Sequence, residues 1–210
     1  MQVLLVANAE LRSELLNGEI DQNVSITWIT DPAEYNADNT FDACVDLLFQ
    51  KDPDRINWLK SLDASLVVVN AVIPVLEEID IDFVRINGWA TLLARPVVEA
   101  AAVNENSRQK AGQLFSALGK KTEWVPDIPG FLTARVIASI INEAYFALEE
   151  KVSTQEEIDI AMKSGTNYPW GPFEWSIKIG LANICALLES LSAKQPRYTV
   201  SQSLRKIAME

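Results

Sequence analysis

The chain offers few side chains that could carry out catalytic chemistry. Histidine does not occur anywhere in its 210 residues. Because histidine is the commonest general base and a frequent metal ligand, this excludes Ser-His-Asp and Cys-His mechanisms and every histidine-ligated metal site. The two cysteines, Cys44 and Cys185, each lie within an apolar run. We interpret them as buried structural thiols, since a disulfide framework or a metal site needs more partners at closer spacing.

Other polar and aromatic candidates also have structural interpretations. Glu143 lies in a strongly helical stretch and is expected to be a buried, hydrogen-bonded carboxylate rather than a catalytic one. Lys120 and Lys121 follow a predicted helix, where cations stabilise the negative end of the helix dipole. The aromatic side chains around the Gly-Pro pair at 171–172 are interpreted as core or interface anchors.

The charge of the chain limits its partners. The formal net charge is −11. An acidic surface repels phosphate backbones and anionic lipids, so neither nucleic acid nor a membrane is expected as a partner. The start of the chain does not read as a signal peptide, and no apolar stretch reaches the ~20 residues that span a bilayer. We therefore expect a cytoplasmic protein.

The first half of the chain alternates short apolar runs with amphipathic stretches. Strands are predicted at 2–7, 24–29, 41–49, 65–70, 83–89 and 97–103, and helices near 10–16, at 53–62 and at 106–118. Continuous apolar strands joined by helices are typical of a mostly parallel sheet with both faces covered, here a doubly wound, Rossmann-like sheet. Gly119 is expected to end the helix at 106–118.

The second half contains almost only helical patterns. Apolar residues recur at helical spacing through 131–152, and further helices are predicted from 153, from 171 to 188 and at 203–209. Ser153 and Glu156 have the spacing of a capping box. The change in composition near residue 126 predicts two domains: an α/β domain at 1–126, followed by a smaller all-helical domain at 127–210.

Several motifs in the helical half occur in a recognisable order. They are 129–132 (Pro-Gly-Phe-Leu), 142–144 (Asn-Glu-Ala), 154–159 (Thr-Gln-Glu-Glu-Ile-Asp), 168–174 (Tyr-Pro-Trp-Gly-Pro-Phe-Glu), 196–198 (Pro-Arg-Tyr) and 203–206 (Ser-Leu-Arg-Lys). This series resembles the C-terminal domain of the 3-hydroxyacyl-CoA (3-hydroxybutyryl-CoA) dehydrogenase family. The resemblance implies a helical domain that packs on a nucleotide-binding domain and supplies a dimer interface. It also implies NAD as the family's cofactor and a place in fatty acid metabolism.

The resemblance extends, more weakly, to the turn after the first strand. The family carries G-x-G-x-x-G there, and the three glycine positions are held by Ala7, Ala9 and Arg12. The glycines permit a tight turn, backbone approach to a pyrophosphate and close helix packing, so a methyl or a long side chain disfavours each of these. Asp31 is the candidate for the acidic residue that contacts the ribose. These four residues mark a degenerate cofactor site, and we expect no bound cofactor.

The catalytic positions of the family are replaced as well. The family removes the proton of a 3-hydroxyl with a histidine held by a glutamate, while a serine and an asparagine hold the substrate oxygen. By this resemblance the histidine position is Ala90, the serine position is Val72 and the asparagine position is Ala134. Glu99 is a candidate remnant of the glutamate, if the chain has a short deletion before it. No residue of this chain is predicted to bind a metal.

The chain is also short between its second and third strands. Only residues 32–40 separate Asp31 from the run that starts at Phe41, where the family has a long helical insertion lying against the coenzyme-A thioester. Its absence disfavours the ordinary CoA site.

We therefore expect a catalytically impaired or inactive member of the family. It would act as a homodimeric binding or scaffold module, formed through the helical domain, for an acyl-CoA-like or nucleotide-like ligand. One alternative is a working NAD-dependent 3-hydroxyacyl-CoA dehydrogenase that uses Asp31, Glu99 and Arg12. The other is a purely structural dimerisation protein without a small-molecule ligand.

Overall fold

The computed structural model describes residues 1–35 and 39–209. These residues form two compact units, Met1–Phe131 and Leu132–Glu210. The domain boundary predicted at residue 126 thus lies inside the first unit, because the segment 127–131 packs with the sheet.

Within the described residues, seven strands of the first unit form one sheet in the order β2-β1-β3-β4-β5-β6-β7. All neighbouring pairs are parallel except β5 with β6. The strands are β1 (Gln2–Val6), β2 (Ser25–Ile29), β3 (Ala43–Asp46), β4 (Val67–Asn70), β5 (Val84–Ile86), β6 (Val97–Ala101) and β7 (Lys121–Trp124). The predicted doubly wound, mostly parallel sheet is therefore confirmed.

Both faces of this sheet are buried, which explains the continuous apolar strands. Val3 and Leu5 of β1 point into one core, whereas Leu4 and Val6 point into the other. Helices α1 (Ala9–Leu15) and α3 (Glu105–Ala117) contribute to the first core, and α2 (Pro53–Ser61) contributes to the second. Gly119 follows α3 with a φ of +72°, as expected for a glycine that ends a helix.

Three strands differ clearly from the sequence prediction, and one of them is β5, which covers only Val84–Ile86 of the predicted 83–89. β3 covers only Ala43–Asp46 of the predicted 41–49, because the chain turns away after the buried Asp46. β7 was not predicted, because its sequence alternates exposed charged residues with partly buried ones and lacks an apolar run.

The second unit is helical. Its helices are α4 (Thr133–Glu149), α5 (Gln155–Thr166), α6 (Pro172–Ile179), α7 (Leu181–Ser192) and α8 (Gln202–Ala208). The capping box before α5 lies one residue later than predicted, because the side chain that accepts from the helix is Thr154 and its partner is Glu157.

The buried polar residue of α4 is Asn142, which is next to Glu143, the residue that was predicted to be buried. Glu143 is exposed, whereas Asn142 is buried, donates to the Thr199 carbonyl at 2.9 Å and accepts from the Ser201 amide at 2.9 Å. An amide suits this place because it donates and accepts at once, while an ionised carboxylate only accepts. The expectation for Glu143 is therefore wrong.

The described residues contain neither a membrane-spanning helix nor a cluster of metal-binding side chains. None of these helices is long and apolar enough to cross a bilayer. No three cysteine, aspartate or glutamate side chains in residues 1–35 and 39–209 converge as metal ligands.

Candidate functional site

The candidate site lies where the parallel strands end, because ligands of open α/β sheets bind beyond the carboxyl ends of the strands. Five segments of this chain lie at that edge of the sheet. They follow the last residues of β1 to β5, which are Val6, Ile29, Asp46, Asn70 and Ile86. Each segment or strand end carries either a site residue that was predicted from the sequence or a buried charged residue that the sequence analysis missed.

The turn between β1 and α1 is covered by two side chains of this chain. Ala7 is buried, and its carbonyl accepts a hydrogen bond of 2.6 Å from the indole Nε1 of Trp28. The guanidinium of Arg12 stacks on the Trp28 ring, 4.2 Å from its centroid. Ala9 is exposed at the first position of α1, after the N-cap residue Asn8. Indole and guanidinium therefore lie together beside the β1–α1 turn.

Asp31 has a local structural role. One of its carboxylate oxygens accepts from the Ala33 amide at 2.8 Å and caps a short 3₁₀ helix at Pro32–Glu34. The neighbouring Thr30 hydroxyl donates to Glu34 at 2.5 Å. Such local bonds are common for aspartate before a turn, and they leave the predicted ribose contact without support.

The Val72 position is organised by a buried arginine that the sequence analysis missed. Arg85 is fully buried in β5 and donates to the carbonyls of Ala71 at 2.9 Å and Val72 at 3.1 Å. Its remaining Nη1 donor is paired with the carboxylate of Asp127. The Val72 carbonyl also accepts from the Gly130 amide at 2.7 Å. The segment that would hold the substrate oxygen is thus fixed through its backbone, while its side chain offers no polar group.

Glu99, the candidate remnant of the glutamate, contacts Asn87 in the segment that leads to Ala90. Glu99 is buried in β6, pairs through its carbonyl with the Asn87 amide at 3.0 Å, and accepts from the Asn87 side chain at 2.8 Å. The remnant carboxylate therefore faces an asparagine three residues before Ala90.

The loop after Ala90 is fixed by two side chains, the partly buried Glu14 and the buried Lys120. Thr91 has a positive φ of 70°, and its amide donates to both oxygens of Glu14 at 2.8 and 2.9 Å. Burial raises the pKa of Glu14 above its ordinary value, although the hydrogen bond from Thr91 opposes the shift. Lys120 is buried and donates to the carbonyls of Leu93 at 2.8 Å and Arg95 at 3.1 Å.

Lys120 was interpreted as a cation that follows a helix, and these contacts show that it is also buried among backbone carbonyls. Burial lowers the pKa of its ammonium group below the ordinary value. Its bonds to backbone carbonyls use the donors that a phosphate would need, so Lys120 is a structural residue.

Asn70, at the end of β4, ties three strand ends together. Its side-chain amide donates to the carbonyls of Leu47 at 3.1 Å and Gly88 at 3.2 Å, and its oxygen accepts from the Gly88 amide at 3.0 Å. A β-carbon on Gly88 would lie 2.7 Å from the Asn70 side chain, so only glycine fits there. Glycine at 88 is therefore required by packing rather than by a ligand.

Asp46 and Arg55 form a second ion pair that the sequence analysis missed. Asp46, at the end of β3, is fully buried and receives two bonds from Arg55, from Nε at 2.7 Å and from Nη2 at 2.8 Å. The pKa of Asp46 is raised above its ordinary value by burial, although Arg55 opposes this shift. The sequence did contain a signal that could have predicted this ion pair, namely an aspartate at the end of an apolar strand.

The remaining candidates belong to the core of their own units. Cys44 and Cys185 are both buried, and burial raises the pKa of each thiol, which disfavours the reactive thiolate. Ala134 is buried in α4. Phe173 and Trp175 are buried as well, in agreement with the interpretation of this cluster as core anchors.

The comparisons with known proteins agree with the motifs in the helical unit. Residues 130–209 match the family model of the 3-hydroxyacyl-CoA dehydrogenase C-terminal domain. The 3-hydroxyadipyl-CoA dehydrogenase of Escherichia coli strain K12 is 39% identical over 135 residues, which are 57% of this chain and 28% of that protein. The mitochondrial hydroxyacyl-coenzyme A dehydrogenase of Homo sapiens is 30% identical over 117 residues, which are 54% of this chain and 37% of that protein.

Similarity of fold covers more of the chain than similarity of sequence. The crystal structure of (S)-3-hydroxybutyryl-CoA dehydrogenase from Ralstonia eutropha matches 99% of this chain and 93% of its own chain, with a TM-score of 0.75 and 19% identity. At that identity the match shows the fold alone. The chain spans less than half the length of the two curated relatives above. The family model and the sequence relatives show that residues 130–209 form a 3-hydroxyacyl-CoA dehydrogenase C-terminal domain, and the chain as a whole shares the fold of (S)-3-hydroxybutyryl-CoA dehydrogenase.

Proposed function

We propose that this chain is a catalytically silent member of its family that acts as a homodimeric binding or scaffold module. The observation that carries the proposal is the covering of the β1–α1 turn, where Trp28 bonds the Ala7 carbonyl and Arg12 stacks on Trp28. A family member without access to its cofactor turn has no acceptor for a hydride.

The proton side of the reaction supports the same proposal. Oxidation of a 3-hydroxyl needs a group that accepts the hydroxyl proton and donors that hold the oxygen. The family positions for these groups hold Ala90, Val72 and Ala134, whose side chains neither accept protons nor donate hydrogen bonds. Glu99 is engaged by Asn87, which leaves the remnant of the pair in a structural bond.

The residues present do not fit NAD in the ordinary family manner. Ala7 and Ala9 add methyl groups at the positions of the tight turn and of the backbone approach to a pyrophosphate, and Arg12 takes the position at which a glycine permits close packing. The Trp28 indole, on which Arg12 stacks, also bonds the Ala7 carbonyl. One carboxylate oxygen of Asp31 accepts the hydrogen bond that caps the following turn. The alternative of a working dehydrogenase would require Asp31, Glu99 and Arg12 to leave these contacts.

Turnover is the direct test of this proposal. We expect the purified chain, mixed with NADH and acetoacetyl-CoA, to oxidise NADH at least about 10⁴-fold more slowly than the Ralstonia eutropha enzyme, since loss of a general base alone costs about 10²–10⁴-fold. The measurement is the decay of nicotinamide absorbance under identical conditions. A rate within about tenfold of that control would establish the working-dehydrogenase alternative instead.

Cofactor binding is tested separately from chemistry. A ligand present at about 100 times its Kd stabilises a protein by about 2.7 kcal/mol. We expect no shift of the melting temperature with NADH at concentrations that stabilise the Ralstonia eutropha enzyme. The same titration with acetyl-CoA distinguishes a binding module, which shifts, from a purely structural dimerisation protein, which does not.

The dimer is proposed through the helical unit. Leu132 and Val136 lie one turn apart at the start of α4, with 63% and 48% of their surface exposed. Large aliphatic side chains exposed side by side favour burial against a second surface. Self-association through this face is consistent with a twofold interface, in which the same patch is used on both copies.

We expect Val136→Glu to reduce the solution mass from that of a dimer to that of the 23.3 kDa chain. The measurement is light scattering coupled to size-exclusion chromatography. Val103→Glu is the matched control, because Val103 is 62% exposed but lies in the first unit, and it should leave the mass unchanged. A Val136→Glu variant that stays dimeric would disprove this interface.

A further inference from the structure

The two edges of the sheet differ in how they are protected. Among the described residues, β7 lies at one edge and β2 at the other. β7 carries Lys121 and Glu123, both largely exposed, and charged residues are a common protection against pairing with another strand. The segment 24–30 around β2 reads Val-Ser-Ile-Thr-Trp-Ile-Thr and contains no charge, proline or glycine. The β2 edge therefore lacks the usual protection.

The backbone of β2 shows which of its groups face outward. The Ser25 amide donates to Met1 at 2.9 Å and the Ile29 carbonyl accepts from Ala7 at 3.1 Å, so alternate residues starting at Ser25 face β1. By the two-residue period of a strand, the N–H and C=O groups of Ile26 and Trp28 face away from the sheet. No residue in 1–35 or 39–209 forms a hydrogen bond with them.

Both ends of this open edge are closed by the chain itself. The Val24 amide donates to the Asp21 carbonyl at 3.0 Å, and the Thr30 amide donates to Glu34 at 3.3 Å. Only the two residues in the middle of the strand thus remain available, which defines a short docking edge centred on Thr27.

We propose that this edge pairs in antiparallel register with the β2 edge of a second copy of the chain. With Thr27 on the twofold axis, Ile26 lies opposite Trp28 of the second copy. Directly opposite residues of this kind exchange two hydrogen bonds, so the two symmetric pairs form four. Ile26 and Trp28 share one face of the strand, where a branched and an aromatic side chain are a favourable cross-strand pair.

The charge pattern selects a second copy as the partner. A chain of net charge −11 repels itself over most of its surface, but the segment 24–30 is neutral. In the same register Asp31 lies opposite Asn23 of the second copy, so no like charges face each other at the ends. A ladder of two residues is short, and we expect association to be weak and best detected by trapping.

A disulfide trap tests the register. The two Thr27 residues form a non-hydrogen-bonded pair, in which Cα atoms are about 4.5 Å apart, within the range for a disulfide. We expect Thr27→Cys to form a disulfide-linked species of twice the chain mass under mild oxidation. Ser25→Cys is the matched control, because the register separates its two copies by about 13 Å along the strand. Both native cysteines are buried and do not compete.

A second pair of variants tests the interaction without a covalent bond. We expect Thr27→Glu to weaken self-association at least about fivefold, because two carboxylates would face each other across the axis. Thr27→Gln has nearly the same size without the charge and should associate like the native chain. Sedimentation velocity of both variants is measured in the Val136→Glu background, so that association through the helical unit does not contribute.

The outcomes decide the proposal in either direction. Strong cross-linking of Thr27→Cys, none of Ser25→Cys and weaker association of Thr27→Glu than of Thr27→Gln support the paired edge. Equal cross-linking of the two cysteine variants overturns it, and so does equal association of the glutamate and glutamine variants. A β2 edge used by a different protein would likewise leave Thr27→Cys uncross-linked in the purified chain and overturn the proposal.

Discussion

Replacing Arg55 by methionine is expected to lower the free energy of unfolding by about 3–5 kcal/mol at neutral pH, because removal of one partner of a buried ion pair leaves the other charge unpaired. Asp46 is fully buried and accepts two hydrogen bonds from Arg55, its charged partner, and a third from the Leu48 amide at 3.0 Å. Methionine has a similar length to the arginine stem, so the lost interaction is mainly electrostatic. Denaturant unfolding followed by tryptophan fluorescence reports the change, since Trp58 stacks on Arg55 itself.

The loss should depend on pH in a defined direction. Burial already raises the pKa of Asp46 above its ordinary value of 3.8, and Arg55 opposes this rise. Without Arg55 the pKa in the folded state rises further, so the folded protein binds the proton up to a higher pH than the unfolded chain does. The contribution of Asp46 to the stability of the variant is then greatest below pH 3.8 and is lost as the pH increases through the folded pKa of this carboxyl group. The difference from the native chain should therefore be small in acid and widen toward neutral pH.

Two further variants complete this test. Adding Asp46→Asn to Arg55→Met removes the stranded charge and should recover a large part of the stability at neutral pH. Lys60→Met is the matched control, because Lys60 pairs with Asp80 while its side chain is 56% exposed, and it should cost much less stability than Arg55→Met. A loss for Arg55→Met that is equal at acidic and neutral pH would show that packing, not charge, explains the effect.

The sheet could be predicted because its central strands share one sequence pattern, a short continuous run of apolar residues. Strands covered on both faces need apolar residues at every position, and β1 and β4 meet this requirement. β7 could not be recognised in the same way, since it is an edge strand whose Lys121 and Glu123 face solvent. β7 has four residues and pairs with one neighbouring strand, β6, so its sequence is too short to show a periodic pattern.

The candidate site could be predicted in its positions but not in its contacts. Resemblance placed Ala7, Val72 and Ala90 at the ends of the correct strands. The stacking of Arg12 on Trp28 depends on how β2 and α1 lie relative to each other, which local sequence patterns do not contain. Contacts that cross between strands or loops, such as the bonds of Lys120 to the Leu93 and Arg95 carbonyls, are not visible before the fold is known.

The missed polar residues share a physical reason. Arg85 and Asp46 read as isolated charges within or at the end of apolar runs, and a buried charge is acceptable only with a partner. Their partners lie elsewhere in the fold, Arg55 in helix α2 and Asp127 in the segment after β7. The carboxyl edge of this sheet thus carries charges that stabilise the scaffold itself, which agrees with the proposed loss of chemistry there.

Replacing Asp127 by alanine is expected to lower the free energy of unfolding of the first unit by about 3 kcal/mol. The partner, Arg85, has no exposed side-chain surface, whereas Asp127 is 28% exposed, which places the cost at the lower end of the range for a broken buried pair. The other carboxylate oxygen of Asp127 accepts from the Leu76 amide at 2.9 Å, so the variant also removes that bond. Burial already lowers the pKa of Arg85, and without Asp127 its charge becomes still less favourable.

Three comparisons separate charge from packing in this cluster. Asp127→Asn keeps an acceptor for Leu76 and should lie between the native chain and the alanine variant. Arg85→Met combined with Asp127→Ala should be more stable than Asp127→Ala alone, because no charge is left stranded. Glu123→Ala is the control for a solvent-exposed carboxylate, whose Lys121 partner is 3.9 Å away, and should change stability by no more than about 0.5 kcal/mol.

Hydrogen exchange shows where the first unit opens when Asp127 is removed. The Leu76 amide loses its acceptor, and the Gly130 amide depends on the Val72 carbonyl that Arg85 also binds. Both amides should exchange faster than the overall loss of stability accounts for, while the amides of β1 should follow the global change only. Uniform acceleration across the sheet would mean that Arg85 stabilises the whole unit rather than the two segments that contain Val72 and Gly130. Selective acceleration would identify the arginine as the residue that fixes the former substrate side of the sheet.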